Sequence, residues 1–226
     1  MTISGQHKLA INRSDDSSDY TDGFHRDALC LIVAGHKRLT ENENDYSNED
    51  EPNITGELKR CTEEYINSSS SPEWASNYVV NEESPENTKG RLGKSRKRVD
   101  IICTLAGRKP QRCIRFEAKR LKNKKFPVGN YIGSEGLMEF ITGNYAPEDD
   151  AAGMLGYIQS DNCEYWAKQI PDALSKSKEV NVTEDGLWQE ACVENVNHCY
   201  KTRHNRITNN RKFLVYHLTT VPLSFK

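Results

Sequence analysis

Residues 112 to 125, RCIRFEAKRLKNKK, look like a basic surface run, yet Glu117 and Lys119 hold alternate positions inside it. Ile114, Phe116 and Ala118 take the intervening places, the period of a strand with one apolar face. The carboxylate and the ammonium therefore stand side by side on the other face. RVDIICTL, residues 98 to 105, is a second strand, joined to the first by the turn-rich AGRKPQ. With Leu105 set opposite Arg112, the register puts Asp100 across from Glu117, with Cβ atoms about 5 Å apart. A one-residue change in the loop would move Asp100 to a diagonal position instead. Two carboxylates so close repel and raise each other's pKa unless a cation stands between them. Lys119, one pleat further on, supplies one charge; a hard divalent ion supplies two. Acids holding Mg²⁺ or Mn²⁺ would polarise a phosphoryl oxygen and acidify a water. The lysine would orient or deprotonate that water, or offset charge on the phosphate. This is a residue set for metal-assisted phosphodiester hydrolysis.

A third acid comes from a helix read over about 53 to 66, with Asn53 as its cap. Ile54, Leu58, Cys61 and Tyr65 form its apolar stripe, and Glu57 falls within the stripe at i+3 from Ile54. An inward carboxylate is costly unless neutralised, and the same cation would neutralise it. A salt bridge to a core arginine, or a place at the stripe edge, would also account for Glu57.

The elements that must position these groups are legible in outline. Residues 1 to 18 are polar and expected to fray, and Asp22 is a candidate cap for a first helix through Phe24, Leu29, Ile32 and His36. TENENDYSNEDEPN (40–53) is acidic and reads as a loop, and SSSSP (68–72) ends the second helix. WASNYVVNEES reads as a strand, residues 134 to 142 as a short helix, and AAGMLGYI as a buried strand. Asp161 and Glu164 have capping-box spacing before a helix that Pro171 should kink or end. A further helix around 184 to 196 and a strand pair, HCYKTRHNR and KFLVYHLTTV, complete the chain. The expectation is an α/β (α+β) fold with a mixed sheet, residues 19 to 226 forming one domain.

Composition narrows the function. At 226 residues and a mean hydropathy of −0.80 the chain has a polar surface and no apolar stretch of bilayer length. With no apolar signal core at the N-terminus, a cytoplasmic protein is expected. Seven cysteines occur without a C-x-x-C pair, as reduced core residues do, and His198, Cys199 and His204 lack a second ligand pair for zinc. Residues 89 to 125 hold fifteen Lys or Arg against two acids, while the rest of the chain holds sixteen against thirty-one. Such a cationic segment attracts polyphosphate backbones, although a solvated face would read the same on charge alone.

Asp100, then sixteen residues, then EAK on a second strand, with an acid-bearing helix before and helix and strand after, resembles the PD-(D/E)XK nuclease superfamily. The resemblance covers about residues 53 to 158 and implies a restriction-endonuclease-like αβββαβ core. It implies Asp100 and Glu117 as metal ligands, Glu57 as the helix carboxylate, Lys119 as the catalytic lysine and Mg²⁺ or Mn²⁺ as cofactor. Val99 stands where the name-giving motif has proline. The flanking strings YIGSEGLMEFITGNYA and TRHNR…FLVYHL are similar to small bacterial members linked to restriction or anti-phage defence.

Arg98, Lys122, Lys124 and Lys125 read as phosphate contacts, and Arg120 either reaches phosphate or pairs with a helix carboxylate. His204 and Arg206 share a strand face and would touch the backbone or pair with a surface acid. Glu82 and Glu83 are exposed at a strand end or join the acidic cluster, and His217 is a core histidine. Double-stranded DNA is the expected partner, with a second copy of the chain (a homodimer) or an ATPase or helicase subunit as further candidates. The alternative is a nucleic-acid-binding or interaction subunit of a defence complex with little activity alone.

Overall fold

The computed structural model describes residues 13–42, 44–85, 93–107, 109–193 and 196–219. In chain order these form α1 (Arg13–Glu41), α2 (Glu51–Ile66), β1 (Tyr78–Pro85), β2 (Arg98–Leu105), β3 (Arg112–Leu121), α3 (Val128–Ile132) and α4 (Leu137–Ile141). They continue with β4 (Ala151–Ile158), α5 (Cys163–Lys176), β5 (Gln189–Glu190), β6 (Cys199–Asn205) and β7 (Lys212–Thr219). The seven strands make one mixed sheet in the order β1-β2-β3-β4-β7-β6-β5. β1, β2 and β3 run antiparallel as neighbours, and β4 then lies parallel to both β3 and β7.

A sheet whose centre is parallel must be covered on both faces, and it is. Leu29 and Ile32 of α1 and Ile54 and Leu58 of α2 pack with Ile101, Ile114, Phe116 and Leu155. Tyr131, Phe140, Trp166 and Ile170 from α3, α4 and α5 pack with Leu121, Met154, Ile158 and Val215. All eight residues of β4 are buried, matching its unbroken run of small and apolar side chains. Gly153 lets Phe116 lie against β4; a Cβ there would come 2.1 Å from Phe116 Cδ1. α1 and α2 approach as closely at Gly35, where a Cβ would meet Thr62 Oγ1 at 2.0 Å.

Several boundaries differ from expectation. α1 already runs from Arg13, so 13 to 18 are helical, while residues 1 to 12 lie outside the described residues. α2 starts at Glu51, with Asp50 as cap and a proline in its first turn, three residues earlier than an Asn53 cap allows. β1 starts only at Tyr78, because Glu73–Asn77 is a 3₁₀ turn that sets Trp74 edge-on to Tyr78. The region 134 to 142 holds α4, and α3 precedes it. α5 is capped by Asn162, whose side chain accepts the Tyr165 N–H. It runs past Pro171, with Ile170 and Leu174 buried on either side of the proline. No α-helix forms over 184 to 193, and residues 194 and 195 of the expected helix lie outside the described residues: after a 3₁₀ turn, Gln189 and Glu190 pair with Lys201 and Tyr200 at the sheet edge. Trp188 stacks on Tyr200 at 4.6 Å, which fixes that segment as strand. No described helix is long and apolar enough to cross a membrane.

Candidate active site

The site lies where two strands part. β2 and β3 pair from Leu105↔Arg112 to Ile101↔Phe116, in the register the hairpin loop predicts, and the ladder stops there. Asp100 takes over the vacated hydrogen bond, its Oδ2 accepting from the Ala118 N–H at 2.7 Å. Beyond Phe116, β3 is held from its other side by β4, with Glu117 opposite Met154 and Lys119 opposite Gly156. A side-chain acceptor in place of a backbone one opens a fork, and Asp100, Glu117 and Lys119 stand in it.

Lys119 Nζ donates to Glu117 Oε1 at 2.9 Å and to Glu51 Oε1 at 2.9 Å. Glu51, in the first turn of α2, also accepts the Arg120 backbone N–H through Oε2 at 3.2 Å. The Glu117 side chain is 5% exposed, and its second oxygen, Oε2, is buried without a hydrogen-bond partner among the described residues. Three carboxylates thus face one ammonium.

The titration of the cluster reflects that imbalance. Burial pushes Glu117 up to about 9, and the Asp100 charge adds to it against the pull of Lys119. Burial likewise raises Asp100 to about 6, partly offset by the Ala118 N–H and by Lys119. For Lys119 burial works against the ammonium, but Glu117, Glu51 and Asp100 outweigh it and the pKa stands above the usual lysine value. Lys119 therefore holds its proton.

Glu57 is placed otherwise than expected. It lies on the outer side of α2, 38% exposed, and its carboxylate is held by Arg60 at 2.8 Å. The buried stripe of α2 is Ile54, Thr55, Leu58, Cys61 and Thr62, which leaves Glu57 at its edge. The helix carboxylate that reaches the site is Glu51, six residues earlier. The signal was present in the string DEPN: a proline in a first turn puts Asp50 at the cap and Glu51 at the first helical position.

The segment leading to Glu51 is ordered by side chains from β3 and from the residues that directly follow β3 and β4. Arg120 donates to Asp50 at 2.8 Å and to the Glu49 carbonyl, and its guanidinium lies 3.9 Å from the Phe126 ring centre. Lys122 Nζ donates to the Ser47 carbonyl and to Asn48. Buried Gln159 donates to the carbonyls of Tyr46 and Glu49. An acidic stretch read as plain loop is thereby clamped onto the sheet, and Arg120 and Lys122 serve that clamp.

The remaining expected contacts divide. Lys124 and Lys125 are exposed, while Arg98 donates to the Glu83 carbonyl at 2.6 Å. Glu82 and Glu83 are exposed at the end of β1, and the charge of Glu83 adds to the upward shift of Asp100. His204 and Arg206 are buried, at 0% and 1% exposure, and reach no surface. His204 belongs to a chain of hydrogen bonds: Nδ1 at 2.6 Å from the Val180 carbonyl must donate, so Nε2 accepts from Thr202. Thr202 in turn accepts from His217 Nε2, and His217 Nδ1 accepts from Tyr131. Burial lowers His204 to about 4, so it stays neutral and structural. Arg206 Nη2 donates to the carbonyls of Ala146 and Asp149, pinning the turn before β4.

Among the described residues no three His, Cys, Asp or Glu side chains form a ready-made metal group. Asp100 and Glu117 offer two carboxylates, with Glu51 across Lys119 from Glu117. Compared with family models, curated proteins and solved structures, the chain finds no match.

Proposed function

We propose that the chain is a divalent-metal-dependent nuclease hydrolysing phosphodiester bonds in DNA, built on a restriction-endonuclease-like αβββαβ core from α2 to β4. A single observation carries this reading: in the fork between β2 and β3, Glu117 is buried beside Asp100 with an oxygen that no group among the described residues satisfies. A buried acceptor of that kind costs stability unless a ligand fills it, and carboxylate oxygens suit a hard divalent cation. The residues present fit such an ion. Asp100 and Glu117 would hold it, with Glu51 as a third carboxylate. Once bound, Mg²⁺ or Mn²⁺ supplies a Lewis acid for the phosphoryl oxygen and a more acidic water.

The chain's own groups then have defined tasks. Asp100 is oriented by the Ala118 N–H, and Glu117 by Lys119. Without metal Lys119 keeps its proton, which suits it to orient the attacking water and to offset charge on the phosphate. With Arg120 and Lys122 committed to the 46–50 segment, Lys124 and Lys125 are the cations of β3's tail left for a phosphate backbone. A role in bacterial defence rests on the flanking sequence resemblance alone.

The test is cleavage of plasmid, linear duplex, single-stranded DNA and RNA in Mg²⁺ or Mn²⁺. Glu117→Ala and Lys119→Ala should abolish turnover while the melting profile stays cooperative; variants that cut as fast as wild type sink the mechanism. A second reading, a binding subunit with little activity alone, draws on the internal use of Arg98, Arg120 and Lys122. Band shifts without cleavage in either metal would favour it.

A further inference from the structure

Next to the carboxylate cluster a cleft of about 390 Å³ opens, with Lys119, Glu51, Arg120, Phe126, Asn130 and Ser134 among its lining. Its size is that of a small-molecule site, far too narrow to admit a double helix. Its chemistry is mixed in a particular way. Phe126 is half-buried and carries the Arg120 guanidinium 3.9 Å from its ring centre, a pile of two flat groups. Asp50 fixes that guanidinium from the side at 2.8 Å, so the pile is rigid. Asn130 and Ser134 are exposed, and neither side chain makes a hydrogen bond among the described residues. The cleft therefore offers a flat stacking surface, unspent amide and hydroxyl groups, and the Lys119 ammonium that Glu51 and Glu117 share, with the exposed carboxylate of Glu135 also in its wall.

We infer that this cleft is a nucleotide subsite: it takes one unpaired nucleotide of the strand, its base extending the Arg120–Phe126 pile and its phosphate toward Lys119. The inference rests on the nuclease reading and narrows its substrate from a duplex to a single strand or a frayed end. Aromatic and guanidinium planes bind bases through their π faces, which only an unpaired nucleotide presents. Asn130 and Ser134 supply hydrogen bonds to the base edge. Gly129, also in the wall, has open space where a Cβ would project, so a larger side chain can be introduced there without a clash.

The test measures binding apart from chemistry. Fluorescence anisotropy with a labelled oligodeoxythymidine, and with a duplex of equal length, is run in EDTA so that nothing is cut. Wild type should hold the single strand more tightly than the duplex. Phe126→Ala should weaken single-strand binding by roughly 5- to 100-fold, the range for losing one stacked base. Gly129→Phe should weaken it comparably by filling the cleft, and both should change duplex binding by less than about twofold. Thermal melts accompany each variant, and Gly129→Phe keeps the idea exposed to refutation if Phe126→Ala melts early. Equal or better binding of duplex by wild type overturns the inference. So does single-strand affinity that is unchanged in a well-folded Gly129→Phe. If instead Phe126-dependent binding stands but no metal supports cleavage, the hydrolytic reading fails and the subsite survives.

Discussion

Replacing Glu117 by glutamine should make the metal-free protein more stable, an outcome opposite to that of most core substitutions. Burial and the Asp100 charge raise the Glu117 pKa from 4.5 to about 9. The folded state thus holds the proton more tightly than the unfolded chain. Its stabilising effect is complete below about pH 4.5 and is lost as pH rises toward 9. At pH 7 the unfolded carboxyl is ionised, and protonating or burying it costs at most about 3 kcal/mol at 1.36 kcal/mol per unit. The pull of the Lys119 ammonium, 2.9 Å away, is already contained in that value, and relaxation and water penetration around the buried carboxyl reduce the bound further, leaving roughly 1–2 kcal/mol. Glutamine keeps an acceptor for Lys119 and removes the ionisation. Glu117→Gln should therefore melt about 3–6 °C above wild type at pH 8, and the difference should vanish near pH 4.5. Adding Mn²⁺ should invert the order: wild type gains about 2.7 kcal/mol at a hundred times its Kd, while the variant gains little. Scanning calorimetry across pH 4.5 to 9, with and without metal, reads both effects. A variant that melts below wild type at pH 8, or pH profiles of identical slope, would refute the argument that this buried carboxylate is strained.

Three further outcomes follow from separate parts of the molecule. Glu51→Gln should weaken Mn²⁺ binding about tenfold by calorimetry, in the range for losing one supporting group of a metal site, and Glu57→Gln should leave it within twofold. Thr202→Val leaves His204 and His217 without their shared hydroxyl and should cost roughly 2–3 kcal/mol in urea unfolding, with nucleic-acid affinity unchanged. Gly35→Ala forces a methyl against the Thr62 backbone, 2.8 Å from its Cα, and should cost about 1–3 kcal/mol by the same measurement.

How much of this could be read from the chain follows from the range of each signal. β2, β3 and β4 lie where their patterns put them, because alternation and an unbroken apolar run are written within the strand itself. The hairpin register follows from loop length, and it brings Asp100 to Glu117 and Lys119. What alternation does not encode is that the ladder ends at Ile101↔Phe116, with the Asp100 carboxylate replacing a backbone acceptor. That exchange needs β4 on the far side of β3, a contact supplied more than thirty residues later in the chain. Glu57 and Glu51 show the same limit at a helix end. Helical periodicity permits either acid on the inner face, and a shift of three residues in the cap of α2 decides between them. Asp50 and Pro52 carry that decision locally. The tertiary clamp of Arg120, Lys122 and Gln159 enforces it. The acidic composition of residues 40 to 53 suggests a free loop only while those three partners, some seventy to one hundred and ten residues away, are out of sight. Cations that look from sequence like phosphate contacts are then found holding the carboxylate that completes the cluster. A charged residue's neighbours in the chain say that it needs a partner, and the fold alone says which.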